Sequence, residues 1–262
     1  MTSLLSSDRL AINQIAVRFG GLLAISDMTF AVERGSIVSL IGPNGAGKTT
    51  AFNVMTGFLR PSAGQVLYKG RDLTRLSPPE IAQLGVVRTF QRTSVFSDCT
   101  VFDGVLTALH LRGSAEFVGA IFRSRAVRDE EERLRKETVE LLEFVGLERR
   151  RDVLARALSY GEQRHLALAV ALAAQPTILL LDEPAAGLNP YETRQFMDLI
   201  RAIRDREITV LLVEHDMHMV MSISDLVYVL NNGRIIAGGS PREVQNDPEV
   251  IRAYLGQGLG HA

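Results

Sequence analysis

"SIVSLIGPNGAGKTT", Ser36–Thr50, joins a short apolar run to a glycine-rich turn. Its first six residues form a short run without charge, the pattern of a strand buried on both faces. The remainder matches G-x-x-x-x-G-K-[ST], and a helix begins near Lys48, so the glycines fall in a strand-to-helix turn. Glycine lets main-chain N–H groups converge there, because a Cβ would obstruct either the turn or an incoming anion. Lys48 then supplies charge for the β and γ phosphates of a nucleotide, and the Thr49 hydroxyl suits Mg²⁺.

Upstream, "LAINQIAVRF", "GG" and "AISDMTFAVERG" alternate and turn on glycine, which predicts β-strands. Downstream, "GQVLYKGRDL" reads as a further hairpin segment after a turn at Pro61–Gly64. From about Gly85 to Leu158 the pattern predicts helices joined by short polar loops. Leu134, Leu141, Leu142 and Val145 fall on one helical face there, and the surrounding charge run reads as a solvated face. "TILLLDEP" and "ITVLLVEH" are apolar runs without alternation, as a parallel sheet covered on both faces requires. "LVYVLNNGRIIAGG" predicts a hairpin turning at Asn232-Gly233, and "SPREVQNDPEVIRAYLG" short terminal helices.

Composition narrows the function. At 262 residues, 46% hydrophobic and 23% charged, the chain can bury a substantial core. A net charge of -1 argues against a general nucleic-acid binder. The single cysteine, Cys99, excludes an internal disulfide and a cysteine-based zinc site, which fits a reducing cytoplasm. "MTSLLSSDRLAINQ" lacks the basic start and apolar stretch of a secretory signal, so the protein is expected to stay inside the cell. The apolar runs Leu166–Ala174 and Ile208–Val213 fall short of the roughly 18 residues of a membrane span, so any membrane role is expected to be peripheral.

"ILLLDEP" adds a carboxylate pair at a strand end. Asp182 is placed to hold magnesium through water, and Glu183 to orient or deprotonate an attacking water. Such a pair also serves as a helix cap, especially before Pro184; beside a phosphate loop it reads as catalytic. His215, in "LLVEHDM", ends another strand, where its side chain could reach a γ-phosphate. "ALSYGEQRHLALAVALAA", Ala157–Ala174, opens a second helix behind Ser159 and Gly161 and presents a second anion-binding helix end.

Together these segments resemble the ATP-binding cassette ATPases over nearly the whole chain. The phosphate loop, "RTFQ" with Gln91, "LSYGEQR", "ILLLDEP" followed by "AAGLNP", and "VEHDM" occur in family order. The resemblance implies an α/β fold: a P-loop NTPase (RecA-like) core with an N-terminal antiparallel β subdomain and an inserted α-helical subdomain. It implies one cassette over residues 1–262, with 1–84 and 159–262 as core and 85–158 as the helical insertion. ATP and Mg²⁺ are the implied cofactors. Gly42, Asn44, Gly45, Ala46, Gly47, Lys48, Thr49 and Thr50 would line the phosphates, and Phe19 would stack on adenine. Thr49, Gln91 and Asp182 would serve the metal; Glu183, His215, Gln91 and Lys48 would serve catalysis. Ser159 and Gly161 would contact the nucleotide of a second cassette, identical or paralogous, in a head-to-tail dimer, with Asn189 in the loop that crosses the interface. Tyr160 stands where the family commonly has glycine, and Asn189 where it has aspartate.

More narrowly, "IGPNGAGKTTAFNVMTGF", "GVVRTFQ", "LDEPAAGLNPYET" and "VIRAYLG" resemble the ATP-binding subunits of branched-chain amino acid importers, a subfamily that includes carriers of urea and short amides. That resemblance implies two integral-membrane permease subunits and an external substrate-binding protein, periplasmic or extracellular. The ATPase would sit peripherally on the cytoplasmic side of the inner membrane. The other readings are an ATPase for urea, amides or an exported lipid-linked cargo, a cassette protein of DNA repair or translation, and a nucleotide sensor without turnover. The compact helical insertion and the presence of Glu183 and His215 argue against the last two.

Overall fold

The computed structural model describes residues 9–89, 97–113 and 125–255. The chain divides into two compact units, one of Met1–Arg88, Thr177–Ala185 and Met197–Ala262, the other of Thr89–Pro176 and Ala186–Phe196.

In the first unit, β1 (Leu10–Phe19) and β2 (Leu22–Val32) form an antiparallel hairpin whose Ile15, Val17, Ile25 and Met28 are buried. All five residues of β3 (Ile37–Ile41) are buried, and the phosphate loop leads from it into α1 (Lys48–Met55). The expected hairpin follows: β4 (Ala63–Tyr68) turns through Lys69 and Gly70, both at positive φ, into β5 (Arg71–Asp72). A Ser77–Glu80 capping box opens α2 (Pro78–Gln83). β6 (Val86–Arg88) then departs from the expectation of helices from Gly85 onward, pairing in parallel with the strand that ends at Asp182. Three residues are too few to display a period, so only the pairing reveals this strand.

The second unit contains α3 (Val101–Gly113), α4 (Arg125–Phe144) and α5 (Tyr160–Ala173). Leu106 and Leu109 of α3, Leu134 of α4 and Ala173 of α5 make a common buried cluster, with Phe102, Ala108 and Leu141 against it. The charged face of α4 carries ion pairs such as Arg135 to Glu131 at 2.9 Å, one helical turn apart.

The chain continues through β7 (Ile178–Asp182), α6 (Pro190–Arg204), β8 (Thr209–Val213), α7 (Met217–Ile223), β9 (Leu226–Asn231), β10 (Arg234–Gly239), α8 (Pro241–Gln245) and α9 (Pro248–Leu255). The first unit's ten strands run β5-β4-β1-β2-β10-β9-β3-β8-β7-β6. From β9 to β6 the pairs are parallel, and all residues of β3, β7 and β8 are buried, as their unalternating sequences require. β9 and β10 form the expected hairpin, with Asn232 and Gly233 both at positive φ. Phe52 and Met55 of α1 pack with Leu180 and Leu211 in the main core. Each fully buried side chain of this kind contributes about 1.5–3 kcal/mol. The topology therefore brings the segments following β3, β7 and β8 to one edge, where open α/β sheets bind ligands. No described helix is long and apolar enough to cross a membrane.

Candidate active site at the carboxyl ends of β3, β7 and β8

The phosphate loop is shaped by close backbone packing. At Gly42 a Cβ would lie 1.9 Å from the Leu230 carbonyl oxygen, so only glycine fits against β9. Gly47 precedes α1 at φ 108, and a Cβ there would meet the Ala24 carbonyl at 3.1 Å. No side chain caps α1, so the N–H groups of its first turn face outward with the positive end of the helix. This arrangement fits a phosphate. Lys48 is buried, and its Nζ donates to the carbonyl oxygens of Gly42 at 2.6 Å and Pro43 at 3.0 Å. Burial lowers its pKa from the ordinary lysine value, and the charges of Glu183 and Asp182 oppose that shift. The Lys48 ammonium is thus held by two loop carbonyls and feels the charges of both carboxylates. Asn44, Gly45 and Thr49 are exposed, Thr50 is half-buried and Ala46 is buried.

Asp182 ends β7 and is 6% exposed, and its Oδ2 accepts from Arg88 at 2.6 Å. Arg88 also donates to Asn53 Oδ1 at 2.7 Å, so α1, β6 and β7 meet at one guanidinium. Glu183 follows at φ 46, its N–H donating to the Val213 carbonyl at 2.8 Å. Its Oε1 lies 2.8 Å from His215 Nε2, the ring N–H donating to the carboxylate. The structure therefore brings together Lys48, Asp182, Glu183 and His215. Phe19 ends β1 with half its surface exposed, available for stacking. Arg88 and Glu214 are additions that sequence reasoning missed. Arg88 stands in the "VVRTFQ" stretch and Glu214 beside His215, and a charged residue directly at the end of an apolar run is the signal that marks both.

In the second unit Ser159 is the N-cap of α5, its Oγ accepting from the Glu162 N–H at 3.2 Å. The Glu162 carboxylate returns to the Ser159 N–H at 2.8 Å and takes Arg150 at 2.7 Å. At Gly161 a Cβ would come within 2.9 Å of Glu192 Oε1, the end of a flexible side chain. Tyr160 lies under the Arg164 guanidinium at 4.9 Å and against Gly187, where a Cβ would meet its ring at 2.9 Å. The Asn189 side chain caps α6, accepting from the N–H groups of Tyr191 and Glu192. Gln91 lies outside the described residues.

The model of the ABC transporter family matches residues 25–186. The chain belongs to the ABC transporter family. A second model, for branched-chain amino acid ATP-binding cassette transporters, matches residues 234–259, which span β10, α8 and α9. The cassette is 44% identical over 254 residues to the high-affinity branched-chain amino acid transport ATP-binding protein LivG of Salmonella typhimurium, covering 97% of this chain and 100% of that one. BraF of Pseudomonas aeruginosa, of the same description, is 43% identical over 249 residues, covering 95% and 98%. Among solved structures, the ADP conformation of MJ1267, an ATP-binding cassette of an ABC transporter, superposes with a TM-score of 0.82 at 32% identity, covering 94% of this chain and 98% of that one. The fold is accordingly that of the P-loop NTPases, and the cassette is an ATPase.

Proposed function

We propose that this cassette energises the import of branched-chain amino acids through a membrane permease. The observation that carries this reading is near full-length identity of 43–44% to LivG and BraF, joined to the match of the carboxyl-terminal segment. The cassette would act on the cytoplasmic side of the membrane, beside two permease subunits and a second cassette, identical or paralogous. An external binding protein would deliver the cargo.

Within the site, the loop amides from Gly42 to Thr50 and the Lys48 ammonium hold the phosphates, and Phe19 stacks on adenine. On ATP binding Lys48 exchanges its two carbonyl acceptors for phosphate oxygens, where its charge offsets the charge developing in the transition state. Thr49, Asp182 and Gln91 are suited to Mg²⁺, an oxygen-liganded ion that supplies neutralisation of the phosphate charge when bound. Glu183 orients water for in-line attack on the γ-phosphorus and takes its proton, while the bond to the β-phosphate oxygen breaks. His215, already hydrogen-bonded to Glu183, steadies that carboxylate and turns to the γ-phosphate when nucleotide is present.

Ser159 and Gly161 face the γ-phosphate of the partner cassette in a head-to-tail dimer. Their support is the helix end behind them and the exposed Ser159. Intact ATP then bridges two chains, and hydrolysis releases them. Uptake of labelled leucine, with labelled urea beside it, tests the cargo in native cells carrying Glu183→Gln. Loss of leucine uptake is expected, and retained leucine uptake with lost urea uptake would overturn the cargo assignment.

A further inference from the structure

Glu214 is the last residue before His215, and it is 4% exposed. A carboxylate buried this deeply needs compensating hydrogen bonds. It finds them in the backbone of two different loops. Oε1 accepts from the Ala185 N–H at 2.7 Å, in the segment that follows β7. Oε2 accepts from the His215 N–H at 2.8 Å and the Asp216 N–H at 3.3 Å, in the segment that follows β8. One carboxylate thus spans the gap between the loop carrying Glu183 and the loop carrying His215.

Glu183 itself needs such support. Its φ of 46 is a conformation that side chains other than glycine rarely adopt, and it persists only where neighbours over-determine it. The Glu183 N–H is tied to the Val213 carbonyl at 2.8 Å, and two residues on the Ala185 N–H is tied to Glu214. The turn bearing the catalytic carboxylate is therefore clamped on both sides by consecutive residues of the neighbouring strand end.

We propose that Glu214 is a positioning residue for hydrolysis: its carboxylate sets the distance and orientation between Glu183 and His215 without touching the nucleotide. The inference rests on the roles given above to Glu183 and His215. Glutamine at this position offers one oxygen and one NH₂, so one of the two loops would face a donor instead of an acceptor and be released. A shift of about 1 Å in a catalytic group costs on the order of 10²-fold in rate, so Glu214→Gln should lower kcat by about 10- to 100-fold. The apparent Kd for a fluorescent ATP analogue and the KM for ATP should stay within about twofold, because only a transition-state interaction is lost.

The test measures both quantities in the full chain for Glu214→Gln, Glu183→Gln and the double variant, with the His215 ring resonances followed by NMR. The expected result is a kcat loss in Glu214→Gln with shifted His215 resonances and retained affinity. In the Glu183→Gln background the added loss should be less than about twofold, since groups that act as a unit are not additive. An unchanged kcat, an equal loss in both backgrounds, or a parallel loss of ATP affinity would overturn the role of Glu214. Glu183→Gln turning over at full rate would instead overturn the reading of Glu183 on which this one stands. Should Glu214→Gln not fold, Glu214→Asp, which keeps the charge but withdraws it by one methylene, is judged by the same measurements.

Discussion

Replacing Arg88 by alanine leaves the Asp182 carboxylate without its guanidinium. Two regimes bracket the cost: exposed ion pairs contribute about 0–1 kcal/mol, whereas breaking a buried pair costs about 3–5 kcal/mol because one charge stays uncompensated. The side chains of Arg88 and Asp182 are 14% and 5% exposed and meet at 2.6 Å, which places them in the second regime. Arg88 also holds Asn53 Oδ1 at 2.7 Å and lies over the Phe52 ring at 5.7 Å, so its removal takes packing as well. The low end of the buried range, about 3 kcal/mol, is the expected loss, since the Lys48 charge still acts on Asp182 and water can reach the space the arginine leaves. At about 2–4 °C per kcal/mol for a chain of this size, Tm should fall by about 6–12 °C. Urea unfolding followed by circular dichroism measures the loss, and a cycle with Asp182→Ala isolates the pair. Because the double variant leaves no orphaned charge, its cost should fall short of the summed singles by at least about 1.5 kcal/mol. A loss below about 1 kcal/mol for Arg88→Ala would place the pair in the surface regime and contradict a buried, uncompensated Asp182.

Gly42→Ala would force a Cβ to within 1.9 Å of the Leu230 carbonyl, so the phosphate loop must shift; ATP affinity, read by fluorescent-analogue binding, should fall by at least about tenfold. Unaltered affinity would contradict that close approach. Glu183→Gln protein at high ATP should elute from size exclusion as a persistent dimer, and monomer alone would count against bridging by intact triphosphate. Burial raises the Glu162 pKa, but hydrogen bonds from Ser159 and the Arg150 guanidinium outweigh it and hold the group below the usual glutamate value. A depressed folded-state pKa contributes stability above the unfolded value of about 4.3, and that contribution is lost as pH falls through the folded value. Glu162→Gln should therefore flatten the stability profile below about pH 4 in acid titrations at fixed urea, and an unchanged acid limb would contradict the capping box as its source.

Much of the site was legible because its signals are local. The phosphate loop needs glycine where β9 crowds it, at Gly42, and an uncapped helix behind Gly47; both requirements are written in consecutive residues. β7 and β8 could be recognised from unbroken apolar runs, and the β9–β10 turn from Asn232-Gly233. What escaped is carried by contacts between distant residues. β6 is a three-residue strand defined by its pairing to β7, and the importance of Arg88 follows from a partner 94 positions away. Glu214 looks like an ordinary charge beside His215, and only its burial and its reach to Ala185 distinguish it. The substitution of Tyr160 for the glycine common in the family likewise acquires a physical setting from the fold, where its ring fills the space beside Gly187 and carries Arg164.

The most direct measurement is the steady-state rate of phosphate release by purified Glu183→Gln protein beside the unaltered chain at saturating ATP. If the carboxylate held against His215 at 2.8 Å activates the attacking water, the rate falls by about 10²-fold or more, the usual size of a general-base contribution. A rate within about twofold of the unaltered protein would contradict Glu183 as that base.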